Sequence, residues 1–246
     1  MKRLENKIAL VTGGSRGMGA AIVQQLADEG ATVAFTYNKG AEKAAGVAAA
    51  LTGKGQRSLA IAADSADPSA VVAAVDKTVA EFGRIDILVN NAGIAVMKPF
   101  EDYTLEEYNQ TMDINARAVF VGTQAAAKHM GKGSRIITIG SCMADRVSGP
   151  YGTLYAMSKS ALTAFNKGLS RDLGPRGITV NLVQPGPIDT DMNPADGAHA
   201  DAQRKNISLG EYGKVEDIAS LVTFLASPES GYITGTAITI DGGTNS

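Results

Sequence analysis

The segment most informative about the fold is Val11-Thr12-Gly13-Gly14-Ser15-Arg16-Gly17-Met18-Gly19-Ala20. It follows a short apolar run at residues 8–12 and leads into a segment of helical composition at residues 19–29. Glycines in such a turn let backbone N–H groups and the helix N-terminus approach a phosphate, where the helix dipole favours negative charge. A tight strand-to-helix connection also needs glycine, so it is the position within a strand-helix-strand unit that favours a dinucleotide-binding turn.

Short apolar runs alternate with helical stretches along the whole chain. Seven runs predict strands at residues 8–12, 32–37, 58–62, 85–89, 135–139, 179–184 and 237–240. Helices are predicted at residues 19–29, 41–51, 68–82, 105–130 and 155–173. Most of the strand runs are continuously apolar, which is typical of parallel strands covered by helices on both faces. The alternation predicts an α/β fold: a single Rossmann-type domain over residues 1–246 with a doubly wound, seven-stranded parallel sheet.

One segment, residues 189–210, is long and weakly patterned, and it contains Pro194 and Gly197. Loops of this length inside compact domains often cover a binding site. We therefore expect a substrate lid at residues 189–210.

Composition excludes several classes of protein. The 246 residues carry 23 basic and 25 acidic side chains, without clusters of Lys and Arg, so neither nucleic acid nor an anionic membrane surface is an expected partner. No apolar run approaches the roughly 18 residues of a membrane span. The single cysteine, Cys142, excludes an intramolecular disulfide, and two histidines, His129 and His199, provide no metal-ligand cluster. A cytoplasmic, metal-free protein is expected.

The end of the second predicted strand indicates which dinucleotide the turn would bind. An NAD site places Asp or Glu there, about 20 residues after the glycines, to bind the ribose 2′-hydroxyl. The sequence instead reads Thr36-Tyr37-Asn38-Lys39, without a carboxylate. A 2′-phosphate would meet the positive charges of Arg16 and Lys39. Further hydrogen-bond donors nearby are Ser15, Tyr37 and Asn38. NADP(H) is therefore predicted, the alternative being that Arg16 and Lys39 are solvated surface charges.

A phenol and an ammonium stand four residues apart in Tyr155-Ala156-Met157-Ser158-Lys159, hence on one face of the predicted helix. A phenol has an ordinary pKa near 10, and a neighbouring cation lowers that pKa towards the neutral range, where the group can exchange a proton with a substrate. Other polar motifs are predicted at or facing the carboxyl ends of strands, where doubly wound sheets bind ligands. These are Asn90-Asn91-Ala92-Gly93, Asn115, Ser141 and Pro185-Gly186-Pro187-Ile188.

Together, these segments resemble the short-chain dehydrogenase/reductase family, in its short single-domain form, along essentially the whole chain. The segment 235–243, with Ile240-Asp241-Gly242-Gly243, is similar to the last strand and C-terminal turn of that family. Within the family, the chain is similar to the carbonyl reductases described as 3-oxoacyl-(acyl-carrier-protein) reductases. It is more similar still to the biofilm-dispersal-mediator subgroup, through residues 139–141, 144–146 and 183–191.

The resemblance implies an NADPH-dependent oxidoreductase that reversibly reduces a ketone or aldehyde, with a hydrophobic part, to an alcohol. Tyr155 would be the general acid in reduction and the base in oxidation, and Ser141 would hydrogen-bond the substrate oxygen. Lys159 would lower the pKa of Tyr155 and hold the nicotinamide ribose hydroxyls. Asn115 would complete a proton relay through an ordered water, or it could be only a residue at a helix bend.

The expected cofactor-contacting residues combine the turn motifs with this resemblance. They are Gly13, Ser15, Arg16, Gly17, Met18, Gly19, Tyr37, Asn38, Lys39, Asp64, Ser65, Asn91, Ala92, Gly93, Tyr155, Lys159, Pro185, Gly186, Ile188 and Thr190. Among them, Asp64 and Ser65 would meet the adenine, and Ile188 and Thr190 the carboxamide. The alternative for Asp64 is a loop cap after the third strand.

The serine departs from the family pattern. In the family it most often lies 13 residues before the tyrosine, a position held here by Cys142, and Ser141 lies 14 residues before. Either the connecting loop carries an extra residue, or a thiol has replaced the hydroxyl. We favour Ser141, because it stands where the fifth strand ends and because a thiol is a weak hydrogen-bond donor.

Two other functions stay open at this level. One is a nucleotide-sensing regulator on the same fold, with a cyclic dinucleotide as the candidate ligand suggested by the subgroup resemblance. The other is fatty-acid elongation on acyl carrier protein, which would need a basic surface built from Arg146, Arg204 and Lys205. The resemblance also implies a homotetramer that assembles through the helices at 105–130 and 155–173 and through the last strand.

Overall fold

The computed structural model describes residues 2–246, which form one sheet with helices on both faces. The strands are β1 (Ile8–Val11), β2 (Thr32–Tyr37), β3 (Ser58–Ala62), β4 (Ile87–Asn90), β5 (Arg135–Ile139), β6 (Thr179–Pro185) and β7 (Ala237–Ile240). All pairs are parallel, in the spatial order β3-β2-β1-β4-β5-β6-β7. The predicted doubly wound, seven-stranded parallel sheet is confirmed.

Eight α-helices lie within the described residues. They are α1 (Gly17–Asp28), α2 (Ala41–Gly53), α3 (Pro68–Phe82), α4 (Leu105–Met112), α5 (Ala118–Ala127), α6 (Thr153–Leu173), α7 (Ala200–Arg204) and α8 (Val215–Ala226). One core packs α1, α2 and α8 against the sheet, and a second packs α3, α5 and the end of α6 against its other face. This two-sided burial explains why the strands read as continuous apolar runs.

The order of the strands reverses between β1 and β4, which are neighbours in the sheet although β2 and β3 intervene in sequence. In doubly wound sheets, ligands bind in the crevice outside the carboxyl ends of the strands at this switch point. The glycine-rich turn after β1 and the Asn-Asn-Ala-Gly stretch after β4 therefore meet at one edge of the sheet.

The structure differs from the sequence prediction in three helical regions. The helix predicted at 105–130 is interrupted by a π-helical turn, Asp113–Arg117, between α4 and α5. Helix α8 was not among the predicted helices. The segment 189–210 contains α7 and contributes Ala200 and Ile207 to a small buried cluster with Tyr212, while most of its other residues are exposed. Its role as a substrate lid stays a prediction.

No helix within residues 2–246 is long and apolar enough to cross a membrane. In the same part of the chain, no group of three or more His, Cys, Asp or Glu side chains is placed to hold a metal ion.

Candidate active site

Two positions of the glycine-rich turn require glycine. Gly13 has a backbone conformation that favours glycine, and Gly19 has no room for a side chain. Gly13 has a φ of 69°. A Cβ on Gly19 would lie 2.1 Å from the carbonyl oxygen of Gly13 and 2.6 Å from the Asn91 side chain. Helix α1 begins at once, with no acidic residue in its first turn and no side chain capping its N-terminus. Its first N–H groups are thus open to an anion.

Asn91, directly after β4, fastens the turn to the neighbouring strand. Its side-chain nitrogen donates to the carbonyls of Thr12 (2.9 Å) and Gly13 (3.1 Å). The Thr12 hydroxyl oxygen accepts from the backbone N–H groups of Asn91 and Ala92, each at 3.0 Å. Thr12 is therefore a positioning residue that the site prediction missed, although it lies within the glycine-rich segment at residues 11–20.

A cleft of about 370 Å³ runs along this edge of the sheet. The predicted cofactor residues that line it are Gly13, Ser15, Arg16, Gly17, Met18, Gly19, Tyr37, Asn38, Lys39, Asp64, Ser65, Asn91, Ala92, Gly93 and Thr190. Lining residues that the prediction omitted are Thr36, Ala63, Ile94, Gln110, Ile114, Asp191 and Met192. The motif-based residues thus come together. Of those omitted, Thr36, Ala63 and Ile94 lie in or after β2, β3 and β4, and the others reach the cleft from α4, the π turn and the segment after β6.

Five predicted contacts do not line this cleft: Tyr155, Lys159, Pro185, Gly186 and Ile188. Pro185 ends β6, and a Cβ on Gly186 would lie 2.6 Å from the Cα of Asp241, so the chain is tightly packed there. Ile188 is buried in the core, and its backbone pairs with Gly213. Their contacts with a cofactor stay predictions.

Asp64 has the geometry of the loop cap and also borders the cleft, while its contact with an adenine stays a prediction. Its Oδ1 accepts a hydrogen bond from the backbone N–H of Ala66 at 2.9 Å, so the carboxylate caps the loop after β3. The same residue lines the cleft.

Asn115 is fully buried in the π turn between α4 and α5. Its Oδ1 accepts from the backbone N–H of Ile94, and its Nδ2 donates to the Ile94 carbonyl and to the Ser158 hydroxyl, all at 2.9 Å. Both hydrogens of the amide are therefore engaged, and they join the loop after β4 to α6 beside Lys159. A single π turn inside a helix is frequent at functional sites. The proton relay through Asn115 stays a prediction.

Ser141 and Tyr155 meet near the carboxyl end of β5. Ser141 is buried, and its Oγ accepts from the backbone N–H of Met143 at 3.2 Å, which leaves its own hydrogen free to donate. Tyr155 is the third residue of α6. Burial raises the pKa of the Tyr155 phenol above its ordinary value, and the neighbouring Ser141 hydroxyl acts in the opposite direction. The phenol is therefore protonated at neutral pH.

Lys159 lies one turn further along α6 and is only 4% exposed. Its Nζ donates to the carbonyl of Ile139 at 2.9 Å and lies 5.9 Å from the centre of the Tyr155 ring. Burial lowers the pKa of Lys159 to about 8. In the folded chain, burial is the largest influence on the Tyr155 phenol and raises its pKa. The expected lowering of this pKa by Lys159 stays a prediction.

Cys142 follows Ser141 in a 3-10 turn, Cys142–Ala144, and is buried. Burial and, secondarily, the charge of Asp241 raise the pKa of its thiol to about 11. A thiol of this kind stays protonated at neutral pH and is a poor nucleophile. Of the two candidate side chains, the Ser141 hydroxyl is the hydrogen-bonding neighbour of the Tyr155 phenol.

The basic residues considered for acyl carrier protein are largely occupied within the chain. Arg146 donates to the backbone carbonyls of Thr244 and Ser246. Arg204 pairs with Asp201 at 2.8 Å and lies over the ring of Tyr212. These contacts disfavour a free basic surface at the pocket mouth.

Comparisons with known proteins identify the family to which this fold and site correspond. The family model described as enoyl-(acyl carrier protein) reductase matches residues 13–245. The chain is 43% identical over 98% of both sequences to the cyclic-di-GMP-binding biofilm dispersal mediator protein of Escherichia coli K12.

Two similar crystal structures contain nicotinamide cofactors. A short chain dehydrogenase from Burkholderia cenocepacia J2315 in complex with NADP is 56% identical, with a TM-score of 0.98 over 99% of this chain and 100% of that one. A blue fluorescent protein from a metagenomic library in complex with NADPH is 52% identical, with the same TM-score and coverage. The chain therefore belongs to the short-chain dehydrogenase/reductase family of oxidoreductases.

Proposed function

We propose that this chain is an NADP(H)-dependent carbonyl reductase that interconverts a ketone or aldehyde and its alcohol. The observation that carries the proposal is the grouping of Ser141, Tyr155 and Lys159 at the carboxyl end of β5, beside the cleft formed after β1 and β4. A protonated phenol, a free hydroxyl hydrogen and a buried ammonium are the groups that carbonyl reduction needs.

The cleft fits a dinucleotide phosphate on its own geometry. The glycine-rich turn leaves no space for side chains at Gly19, so the backbone can approach a pyrophosphate. Arg16 and Lys39 line the cleft, and β2 ends without a carboxylate, which favours a 2′-phosphate. The similar proteins crystallised with NADP or NADPH support the same choice. The cofactor, when bound, supplies the hydride.

Ser141, Tyr155 and Lys159 would bind the substrate oxygen, supply the proton and bind the ribose, respectively. The Ser141 hydroxyl donates to the substrate oxygen, because its own oxygen already accepts from Met143. Tyr155 gives its phenolic proton to that oxygen, and its raised pKa keeps the proton available at neutral pH. Lys159 has three N–H donors and uses one on Ile139, so the others can bind ribose hydroxyls.

Apolar side chains surround the N-terminus of α6, next to Tyr155. A Cβ on Gly152 would lie 2.3 Å from the Cε of Met143, 3.8 Å from the sulfur of Met97 and 3.8 Å from a methyl carbon of Val147. Methionine side chains adapt to ligands of irregular shape. We therefore assign a hydrophobic part to the substrate.

Exposed apolar residues on α4, α5 and α6 support assembly. Leu105 is 81% exposed, and Phe120, which packs against Phe165 with a ring-centre distance of 6.1 Å, is 52% exposed. Tyr108 and Met157 are also exposed on these helices. A monomer rarely presents such a surface to water, so we assign it to the interface of a homotetramer.

The function is tested by following the loss of NADPH absorbance with purified protein and a panel of aryl ketones, β-ketoesters, diketones and quinones. Parallel reactions with NADH measure the cofactor preference, and the Tyr155→Phe protein is the blank. We expect turnover with NADPH that exceeds turnover with NADH and disappears in the blank. If the protein still bound NADPH but turned over no compound of the panel, its substrate would not belong to these carbonyl classes.

The choice between Ser141 and Cys142 is tested by a matched pair of variants. Ser141→Ala is expected to lower kcat by about 100-fold, because it removes the donor to the substrate oxygen. Cys142→Ala should change kcat by less than about three-fold, because the buried, protonated thiol has no step to perform. Both rates are measured with the best substrate of the panel. A larger loss in Cys142→Ala than in Ser141→Ala would assign the carbonyl contact to the thiol.

A nucleotide-binding regulator is the second candidate, because the Escherichia coli relative is named as a cyclic-di-GMP-binding biofilm dispersal mediator. The phosphate-binding turn would serve either ligand. The grouped Ser141, Tyr155 and Lys159 favour an enzyme, since binding alone does not require all three. A biological effect that persists in Tyr155→Phe would favour the regulator.

A further inference from the structure

Asp191, in the segment predicted as a lid, forms two ion pairs across the mouth of the cleft. Its Oδ2 lies 2.9 Å from the Nζ of Lys43 and 3.4 Å from the Nη1 of Arg16. Arg16 directly precedes α1, and Lys43 lies in the first turn of α2. One carboxylate thus joins three separate parts of the chain. We propose that Asp191 competes with the 2′-phosphate of NADP(H) for these two cations, which makes Lys43 and Asp191 cofactor-specificity residues.

The position of Asp191 supports this competition. Asp191 lines the same cleft as Arg16 and Lys39. The preceding residue, Thr190, lies over the glycine-rich turn, because a Cβ on Gly17 would be 3.6 Å from its methyl carbon. The carboxylate is therefore held above the turn, where it pairs with Arg16, one of the two cations that the sequence assigns to the 2′-phosphate, and with Lys43.

The charges favour displacement by a phosphate. Arg16 and Lys43 lower the pKa of Asp191, so its carboxylate is charged at neutral pH. Within residues 2–246, no other carboxylate lies within 4.0 Å of either cation. All three side chains are more than half exposed, so their ion pairs are weak. A phosphate carries more charge than a carboxylate and offers three acceptor oxygens, which makes it the stronger partner for Arg and Lys.

Displacement would free only the tip of the lid segment. The side chains of Asn193 and Gln203 exchange two hydrogen bonds, at 3.0 and 3.2 Å, and Asp189 accepts from the backbone N–H of Ala195 at 2.9 Å. These contacts hold the rest of the segment in place without Asp191. We therefore expect residues 190–192 to be released by a nucleotide that carries a 2′-phosphate and to stay closed over one that lacks it.

The inference rests on the proposed NADP(H) site, so its test measures binding rather than turnover. The probes are adenosine 2′,5′-bisphosphate and adenosine 5′-monophosphate, which differ only in the 2′-phosphate. Calorimetric titration of the full chain compares wild type with Asp191→Asn and Lys43→Gln. The matched control is Lys54→Gln, since Lys54 forms an ion pair of 2.9 Å with Asp28 at the other end of α2.

We expect Asp191→Asn to bind the bisphosphate roughly five-fold more tightly and Lys43→Gln to bind it roughly five-fold more weakly, the size of effect of a weak ion pair. The monophosphate should bind both variants as it binds wild type, and Lys54→Gln should bind both probes unchanged. Hydrogen exchange at residues 190–192 of the wild type should rise with the bisphosphate and not with the monophosphate.

Three results would overturn the inference. Equal weakening of both probes in Asp191→Asn would make Asp191 a clamp that closes over the nucleotide. If Asp191→Asn bound the bisphosphate with unchanged affinity, the ion pairs of Asp191 would be surface contacts without effect on cofactor binding. Absence of binding by either probe to any variant would overturn the nucleotide site itself. The proposed reductase function is tested by a different result, because a lack of NADPH-dependent turnover in the substrate panel would contradict it without bearing on Asp191.

Discussion

Replacing Tyr155 by phenylalanine is expected to lower kcat for carbonyl reduction by about a thousand-fold, within the range that a positioned general acid contributes. The phenol is protonated at neutral pH, because burial raises its pKa, and it lies next to the Ser141 hydroxyl. Phenylalanine retains the ring and its packing while removing the proton. Steady-state kinetics with NADPH and the best substrate of the panel measure the loss.

The affinity of Tyr155→Phe for NADPH shows whether the variant lost only its proton donor or whether its cofactor cleft was also damaged. Tyr155→Phe should bind NADPH within a few-fold of wild type, because the glycine-rich turn does not depend on the phenol. Tyr232→Phe is the matched control, since Tyr232 is fully exposed and should lose no activity. If Tyr155→Phe kept a tenth or more of the wild-type kcat, Tyr155 would not be the proton donor.

Lys159→Met is expected to abolish reduction and also to stabilise the fold by about 2 kcal/mol at pH 7. Burial lowers the pKa of Lys159 from 10.5 to about 8, so the folded chain holds this ammonium at a cost of about 3 kcal/mol. Methionine removes that cost, while the carbonyl of Ile139 loses its donor, a loss of about 1 kcal/mol. On the proposed function, this ammonium serves activity at the expense of stability.

The pH dependence identifies the cause of this stabilisation. Between about pH 8 and pH 10.5, the unfolded chain binds more protons at Lys159 than the folded chain, so wild-type stability rises with pH in this window. Below about pH 8, the cost is fully present. Denaturant unfolding should therefore show a clear gain for Lys159→Met at pH 7 and a smaller one near pH 10. A variant less stable than wild type at pH 7 would show that the bond to Ile139 outweighs the burial of the charge.

Much of this molecule could be predicted from its sequence because the signals are local. Strands buried on both faces read as apolar runs, and β2, β3, β5 and β7 lie where those runs predicted them. The residues of the glycine-rich turn and the end of β2 line one cleft, as expected from their places at the ends of adjacent parallel strands.

The family resemblance offered Asn115 as a residue at a helix bend, and the π turn contains it. The local pattern alone does not indicate this break in the helix predicted at 105–130, because the turn contains no glycine or proline. At this turn, the side chain of Asn115 bonds to the backbone of Ile94, which is 21 residues away in sequence. A bond of that kind exists only once the loop after β4 packs against the helix.

The charges of the site also depend partly on local spacing and partly on the folded structure. The four-residue spacing of Tyr155 and Lys159 placed both side chains on one helix face, yet the directions of their pKa shifts depend on burial, which the spacing does not encode. The sequence likewise indicated Arg16 as a phosphate ligand, whereas its pairing with Asp191 joins residues 175 positions apart.

Local pattern and spacing predicted the parallel sheet, the glycine-rich turn and the candidate site residues Ser141, Tyr155 and Lys159. The π turn, the raised pKa of Tyr155, the lowered pKa of Lys159 and the ion pairs of Asp191 followed only from the folded structure. Desolvation and long-range charge contacts depend on which segments the fold brings together, and local pattern does not encode them.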